Sequence, residues 1–243
     1  KIIPQSGTTL TVGDSGDTVT FTSGANLSVD GTVKLDGNYP TATNNVALGN
    51  AALDDGSLSG NQNTAVGSAS LSANTSGANN TAMGCGALVL NTTGTDNTAI
   101  GSGSLDANTT GDYNTAVGHL SLTANTTADD NTAIGRSSMC KNTTGASNTA
   151  VGRLALFNNT TASNNTAVGK SALCSNTTGS QNIAIGHSAL IANTTAENNT
   201  AVGFRALCST TTGFDNAAVG RNALASNTAS SNTAVGAFSL NSN

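Results

Sequence analysis

The chain has 243 residues and a formal net charge of −5, yet only 9% of its residues are charged and 3% aromatic, with 28 glycines and no tryptophan. Such a composition argues against an ordinary globular core, and the sparse basic residues and acidic pI of about 4.6 leave no nucleic-acid footprint of the usual density. The longest apolar runs, such as Gly86-Ala87-Leu88-Val89-Leu90, are far too short to insert into or span a bilayer.

Residues 1–44 form a first segment. Thr8-Thr-Leu-Thr-Val12, Asp17-Thr-Val-Thr-Phe21, Asn26-Leu-Ser-Val29 and Thr32-Val-Lys-Leu35 alternate polar and apolar residues between glycine-rich turns, the period-two pattern of short strands. Pro40 and the irregular Thr41-Ala-Thr-Asn44 mark a junction.

Residues 45–243 form a tandem array. Twelve times the chain repeats a variant of Asn-Thr-Ala-Val-Gly-x-x-Ala-Leu, with glycines at 49, 67, 84, 101, 118, 135, 152, 169, 186, 203, 220 and 236. All intervals are 17 residues except the first (18) and the last (16). In every unit Asn stands four before the glycine, Ala two before and an aliphatic residue or Met one before; Leu, or once Met139, stands four after. A fixed short period means stacked equivalent units.

Seventeen residues are too few for two packed helices, and Asn, Thr, Gly and Val favour strands and turns. The pattern therefore predicts an all-β parallel β-solenoid or β-roll of about twelve coils, each with two short strands. In one unit these fall at Thr64-Ala65-Val66 and around Ser70-Leu71, with a turn at Gly67 and a return through Asn74-Thr75-Ser76-Gly77. Coils stacked about 4.8 Å apart over eleven intervals make a rod of roughly 50 Å. The structural ladder then consists of Asn63, Ala65, Val66, Gly67 and Leu71, repeated as Asn165, Ala167, Val168, Gly169 and Leu173. The twelve stacked Asn could exchange side-chain amide hydrogen bonds, or could form a polar binding surface.

Neighbouring strand residues face opposite ways, so Ala65 and Val66 cannot both point into one coil, yet neither position accepts a polar residue in any unit. Both faces are therefore expected to be covered. The unvarying small Ala would admit a neighbouring backbone, which predicts a homotrimer.

Units such as Asn45-Val-Ala-Leu-Gly49 and Asn182-Ile-Ala-Ile-Gly186 resemble the Ser-Val-Ala-Ile-Gly repeats of trimeric autotransporter adhesin heads, which form left-handed parallel β-rolls. The longer phrase Asn165-Thr-Ala-Val-Gly-Lys-Ser-Ala-Leu-Cys-Ser-Asn-Thr-Thr-Gly179 is similar to repeats of phage tail fibres, many of which end in an endosialidase-type chaperone. The stretch Thr11-Val-Gly-Asp-Ser-Gly-Asp-Thr-Val19 resembles segments of phage structural proteins, implying a fibre shaft or adaptor that meets other virion or fibre proteins. With Lys1 at the start and Asn243 following a fresh repeat, the chain is expected to be a processed or partial one.

Candidate chemistry is thin. Cys140, Cys174 and Cys208 share a register two coils apart, about 10 Å, too far for bridges within the chain. They read as free thiols at an apolar packing site, with bridges between chains as the alternative. His119 and His187 stand four coils apart, about 19 Å, and cannot share a metal. The acids do not recur as calcium-binding rolls require, and the adjacent pairs Asp54-Asp55 and Asp129-Asp130 read as solvated turns. No catalytic, cofactor or metal site is expected. One pattern stands out: His119, Arg136, Arg153, Lys170, His187 and Arg221, with Phe204 between the last two, follow the repeat glycine in successive coils. Stacked, they make a basic stripe, either a solvated face that discourages aggregation or a site for an anionic surface polysaccharide.

The resemblance implies a viral tail fibre, a trimeric rod of the virion that supports or mediates attachment to a host surface, and not an enzyme. A bacterial adhesin of the autotransporter type is the alternative, on an extracellular surface. An ice-binding solenoid is a third reading, weakened because the Thr column through Thr64 and Thr166 is interrupted at Ile183 and Ala217 and is only one column wide. A glycan depolymerase acting at a subunit groove is the fourth.

Overall fold

The computed structural model describes residues 37–39 and 42–241, so nearly all of the expected segment 1–44, with its predicted short strands and adaptor role, lies outside the described residues. Strand β1 (Gly37–Tyr39) pairs antiparallel with β2 (Ala42–Leu48). From β2 onward every pairing is parallel and sequential, through β3 (Thr64–Val66) up to β13 (Thr233–Val235). The array is thus an all-β parallel β-solenoid of about eleven turns. Register is strict: Ala65 lies against Ala82, and Ala167 against Ala184.

Each coil carries one strand, of three residues in every coil after the seven-residue β2, and not two strands. The stretch expected to form the second strand is a run of turns, because Ala69 and Leu71 adopt φ of 55° and 50°. Left-handed backbone recurs at the same two positions in every coil, as at Leu154 and Leu156 or Leu120 and Leu122. Such a conformation costs an L-residue roughly 1–2 kcal/mol. The Leu tolerates it because it is thereby turned into the coil, where Leu71, Leu88, Leu105 and Leu122 are completely buried. A third left-handed position, just before the repeat Asn, takes residues such as Asn79, Asp96 and Asn164, types that reach this region with least strain.

The repeat glycine has a sharper reason. Gly135 has φ of 127°, and a Cβ on it would sit 2.7 Å from the carbonyl carbon of Gly152 in the next coil. Both the backbone and the stacking demand glycine. The turns stack as regularly as the strands: Leu71 N–H donates to Ala87 C=O at 3.0 Å, and Gly84 N–H to Val66 C=O at 2.8 Å. Hydrogen bonding between coils therefore runs around the whole perimeter.

The interior has an apolar side and an amide side. Ala65 and its equivalents are fully buried and form one cluster with the Leu column. This corrects the expected role of Ala: its small size fits the narrow interior of its own coil, opposite Leu, and does not serve the approach of another chain. Val66 points the other way and is only half-buried.

Two Asn columns fill the amide side. Asn63 Oδ1 accepts the backbone N–H of Asn80 at 3.0 Å, and Asn63 Nδ2 donates to Gly77 C=O at 2.9 Å. The second column, seven residues after the glycine, pairs amide to amide: Asn91 Nδ2 donates to Asn74 Oδ1 at 2.9 Å, and Asn108 Nδ2 to Asn91 Oδ1 at 2.8 Å. Asn74 Nδ2 also donates to Gly77 C=O, so one carbonyl serves both columns. Nearly every buried amide is satisfied in this way, as burial without solvent requires. A column of threonine hydroxyls adds to it, with Thr92 Oγ1 donating to Thr109 C=O at 3.0 Å.

Candidate functional site

With the Asn, Ala and Leu columns inside, the outward-facing columns are left to meet other molecules. The first candidate is the outer face of the parallel sheet. Each strand there presents two residues, the Thr three before the glycine and the aliphatic residue one before it. The aliphatic column includes Leu48, Met83, Ile100, Ile134 and Ile185, each 39–46% exposed, and ends at Val235, 72% exposed. No charged residue occurs in either column, so a flat strip of threonine and aliphatic side chains runs the length of the sheet.

The second candidate is the basic stripe. His119, Arg136, Arg153, Lys170, His187 and Arg221 are all exposed and lie one above another. Backbone bonds fix that alignment, since Ser137 N–H donates to His119 C=O and Leu154 N–H to Arg136 C=O, at 3.0 and 3.2 Å. The rings of His187 and Phe204 stack with centroids 5.5 Å apart, and the Arg221 guanidinium lies 5.2 Å from the Phe238 ring centre. Arg205, one position further along, extends the stripe sideways; the sequence signal was its place beside the column, which a single-column reading passes over.

The acids have different work. Asp112 Oδ1 accepts Thr95 N–H at 2.6 Å, and Asp129 Oδ1 accepts Asp112 N–H at 2.8 Å, so this column of acids ties the return turns of successive coils together. Asp55 accepts the Ser57 N–H at 2.8 Å, and its hydrogen bonds to Ser57 hold its carboxyl below the ordinary range. Both acid pairs expected to be turns therefore include one carboxylate that braces a turn. Asp106 differs: desolvation raises its pKa, and its Oδ1 is buried without a partner.

All four cysteines are free thiols. Cys140 and Cys174 are half-buried, and desolvation raises both thiols above their ordinary pKa, which slows thiolate chemistry. Cys85 is exposed, in the column that carries the basic stripe higher up. Among the described residues no three His, Cys, Asp or Glu side chains gather to hold a metal ion, and no helix is long and apolar enough to cross a membrane. A shallow depression between Thr195–Asn198 and Thr212–Phe214 contains one carboxylate, Glu197, beside the Phe214 ring.

The second Asn column is the largest feature that reading the residues as turns had missed. Its signal was present as an Asn at one register from Asn74 to Asn193, broken at Thr210 and resumed at Asn227. The architecture is thus a parallel β-solenoid with coils of about 17 residues and internal Asn ladders. Comparisons of this chain with protein-family models, curated proteins and solved structures found no match.

Proposed function

We propose that the chain is a subunit of a trimeric structural fibre, most closely a phage tail fibre, whose rod supports or mediates attachment to a host surface. The observation that carries this reading is the uncharged outer face of the sheet. A continuous aliphatic column of this length is the kind of surface that marks an interface, and a rod has a simple way to cover it. Three copies around an axis parallel to the rod set equal coils side by side, so the outer sheet face of each copy meets its neighbours along its full length. The contact surface is the Thr and Val/Ile face, in place of the Ala face expected from sequence. The likeness of the repeat phrase to trimeric adhesin heads and phage fibres points the same way. On this reading the chain has no catalytic turnover, its site is the virion or another extracellular surface, and a cell-surface adhesin shares the same assembly.

The test is to place charge in mid-column with Ile134→Lys and Val151→Lys together and to measure particle mass. Both side chains point away from the coil interior, so the coil stays folded. A shift from trimer to folded monomer is the expected outcome; an assembly unchanged by two buried lysines per chain overturns the reading.

One observation favours a second reading. The outer face carries an aliphatic column beside the Thr column that is interrupted at Ile183 and Ala217, and a two-column array exposed on a monomer suits an ordered water lattice better than one column does. Thermal hysteresis by a monomeric particle would establish that ice-binding reading in place of the fibre.

A further inference from the structure

We infer that the basic stripe is a binding site for a linear, anionic polysaccharide laid along the rod. Three observations carry it. The first is charge placement: of the six Lys and Arg residues in the array, all but Lys141 fall in two adjacent columns, as Arg136, Arg153, Lys170, Arg205 and Arg221. A solvated face that serves only solubility has no need of such concentration, and mixed signs serve solubility better.

The second is the separation of sign. Asp112, Asp129 and Glu197 lie in the column eleven residues after the glycine and Asp96, Asp130 and Asp215 in the next, while no acid occupies the two basic columns. Among the described residues none of the stripe's Lys or Arg side chains is paired with a carboxylate. Neighbouring coils bring like charges to about 4.8 Å, well inside the screening length of about 8 Å at physiological salt. No carboxylate of the chain is placed to relieve their repulsion, so the stripe is left to attract an external polyanion.

The third is shape and periodicity. From His119 to Arg221 the column rises through six intervals, about 29 Å at that spacing. It is a single-sided column of donors broken once, at Phe204, and suits an extended chain with a charge on each or every second sugar. The ring of Phe204, stacked on that of His187, is the one non-basic member of the column between His119 and Arg221. Duplex nucleic acid fits less well, because its phosphates wind around a helix while this stripe stays on one line.

The inference supplies the attachment half of the fibre reading and rests on it for biological context, but its test does not depend on trimer formation. The native protein is titrated with dextran sulfate and with polygalacturonate, using neutral dextran as the control, and particle mass is measured on the same samples. Binding of both polyanions that weakens roughly tenfold or more in Arg136→Glu/Arg153→Glu/Lys170→Glu and falls with added salt is the expected result. The neutral set Arg136→Gln/Arg153→Gln/Lys170→Gln should weaken binding to a lesser degree, which guards against a folding defect in the reversal set. Glu197→Gln, in the acidic column, should leave it unchanged. Failure of the native protein to bind either polyanion, binding indifferent to the triple substitution, or equally tight binding of duplex DNA overturns the inference. A monomer that binds breaks only the trimer, and a trimer that does not bind breaks only the stripe.

Discussion

The coils that carry Asn seven residues after the glycine differ from the one coil that carries Thr210 there. In a regular coil the Asn125 amide donates to Asn108 Oδ1 at 3.0 Å and to Ala128 C=O at 3.0 Å, while its own Oδ1 accepts from Asn142 at 3.1 Å. Thr210 is fully buried at the equivalent place, and its hydroxyl donates forward to Asn227 C=O at 2.7 Å. Nothing then reaches back to the coil below, and Asn193 Oδ1 is left buried without a partner. The neighbouring strands keep their register across this gap, Ile183 against Thr200 and Thr200 against Ala217. A broken rung therefore costs locally while the backbone stack holds, as expected of a structure in which each unit leans only on its neighbours.

The sharpest way to break the regular region is to attack the stack itself. Gly135→Ala sets a Cβ against the Gly152 backbone at 2.7 Å and forces a φ of 127° on alanine. Strain and overpacking together should cost about 3–6 kcal/mol, read as a large drop in melting temperature. Hydrogen exchange should place the opening in the coils on either side of Gly135; protection unchanged there would show that the stack gives way easily.

Asn125→Ala, next in size, copies the Thr210 defect into a regular coil without a replacement hydroxyl. It orphans Asn108 Oδ1, weakens the hold on the Ala128 carbonyl and leaves a small void, for a loss of about 2–4 kcal/mol in denaturant unfolding. A loss below the smallest of these would mean that water enters the amide side and takes over the bonds.

The converse experiment repairs the irregular coil. Thr210→Asn restores a donor for Asn193 Oδ1 and should stabilise by about 1 kcal/mol. No gain would indicate that the Thr210 bond to Asn227 is worth as much as the missing rung.

The smallest effect concerns Asp106. Its carboxyl titrates above the ordinary value of 3.8 because desolvation disfavours the charge. The stability tied to its neutral form is fully present below that unfolded value and is lost as pH rises through the raised native one. Asp106→Asn should thus raise the melting temperature slightly at neutral pH and leave it unchanged at about pH 3, where the carboxyl is protonated in both states. An equal gain at both pH values would point to packing instead.

Much of the fold was legible in the residues, and the failures have a common cause. The period, the strand at Thr64–Val66, the Asn63 ladder and the alignment of Arg136 with Arg153 all follow from counting, because stacking turns sequence register directly into spatial register. Strand propensity misled at Ser70-Leu71, since a strand needs an extended backbone and Leu71 is left-handed. The same turn sends Leu71 across the interior to meet Ala65, so Ala is small for reasons inside its own coil, and Val66 becomes the outward residue. Asn74 read as a turn former because Asn-Thr-Ser-Gly is turn chemistry; its burial depends on how narrow the coil is, which no local pattern states. The candidate surfaces were partly visible: the stripe as a column, and the sheet face only once Val66 and Ala65 had been assigned their sides.

Light scattering of the native particle, beside the subunit mass of 23.7 kDa, tests most directly whether that outward face is covered by copies of the chain. A mass three times the subunit value is the expected result. A stable particle of one subunit, with its aliphatic column open to water, would contradict it.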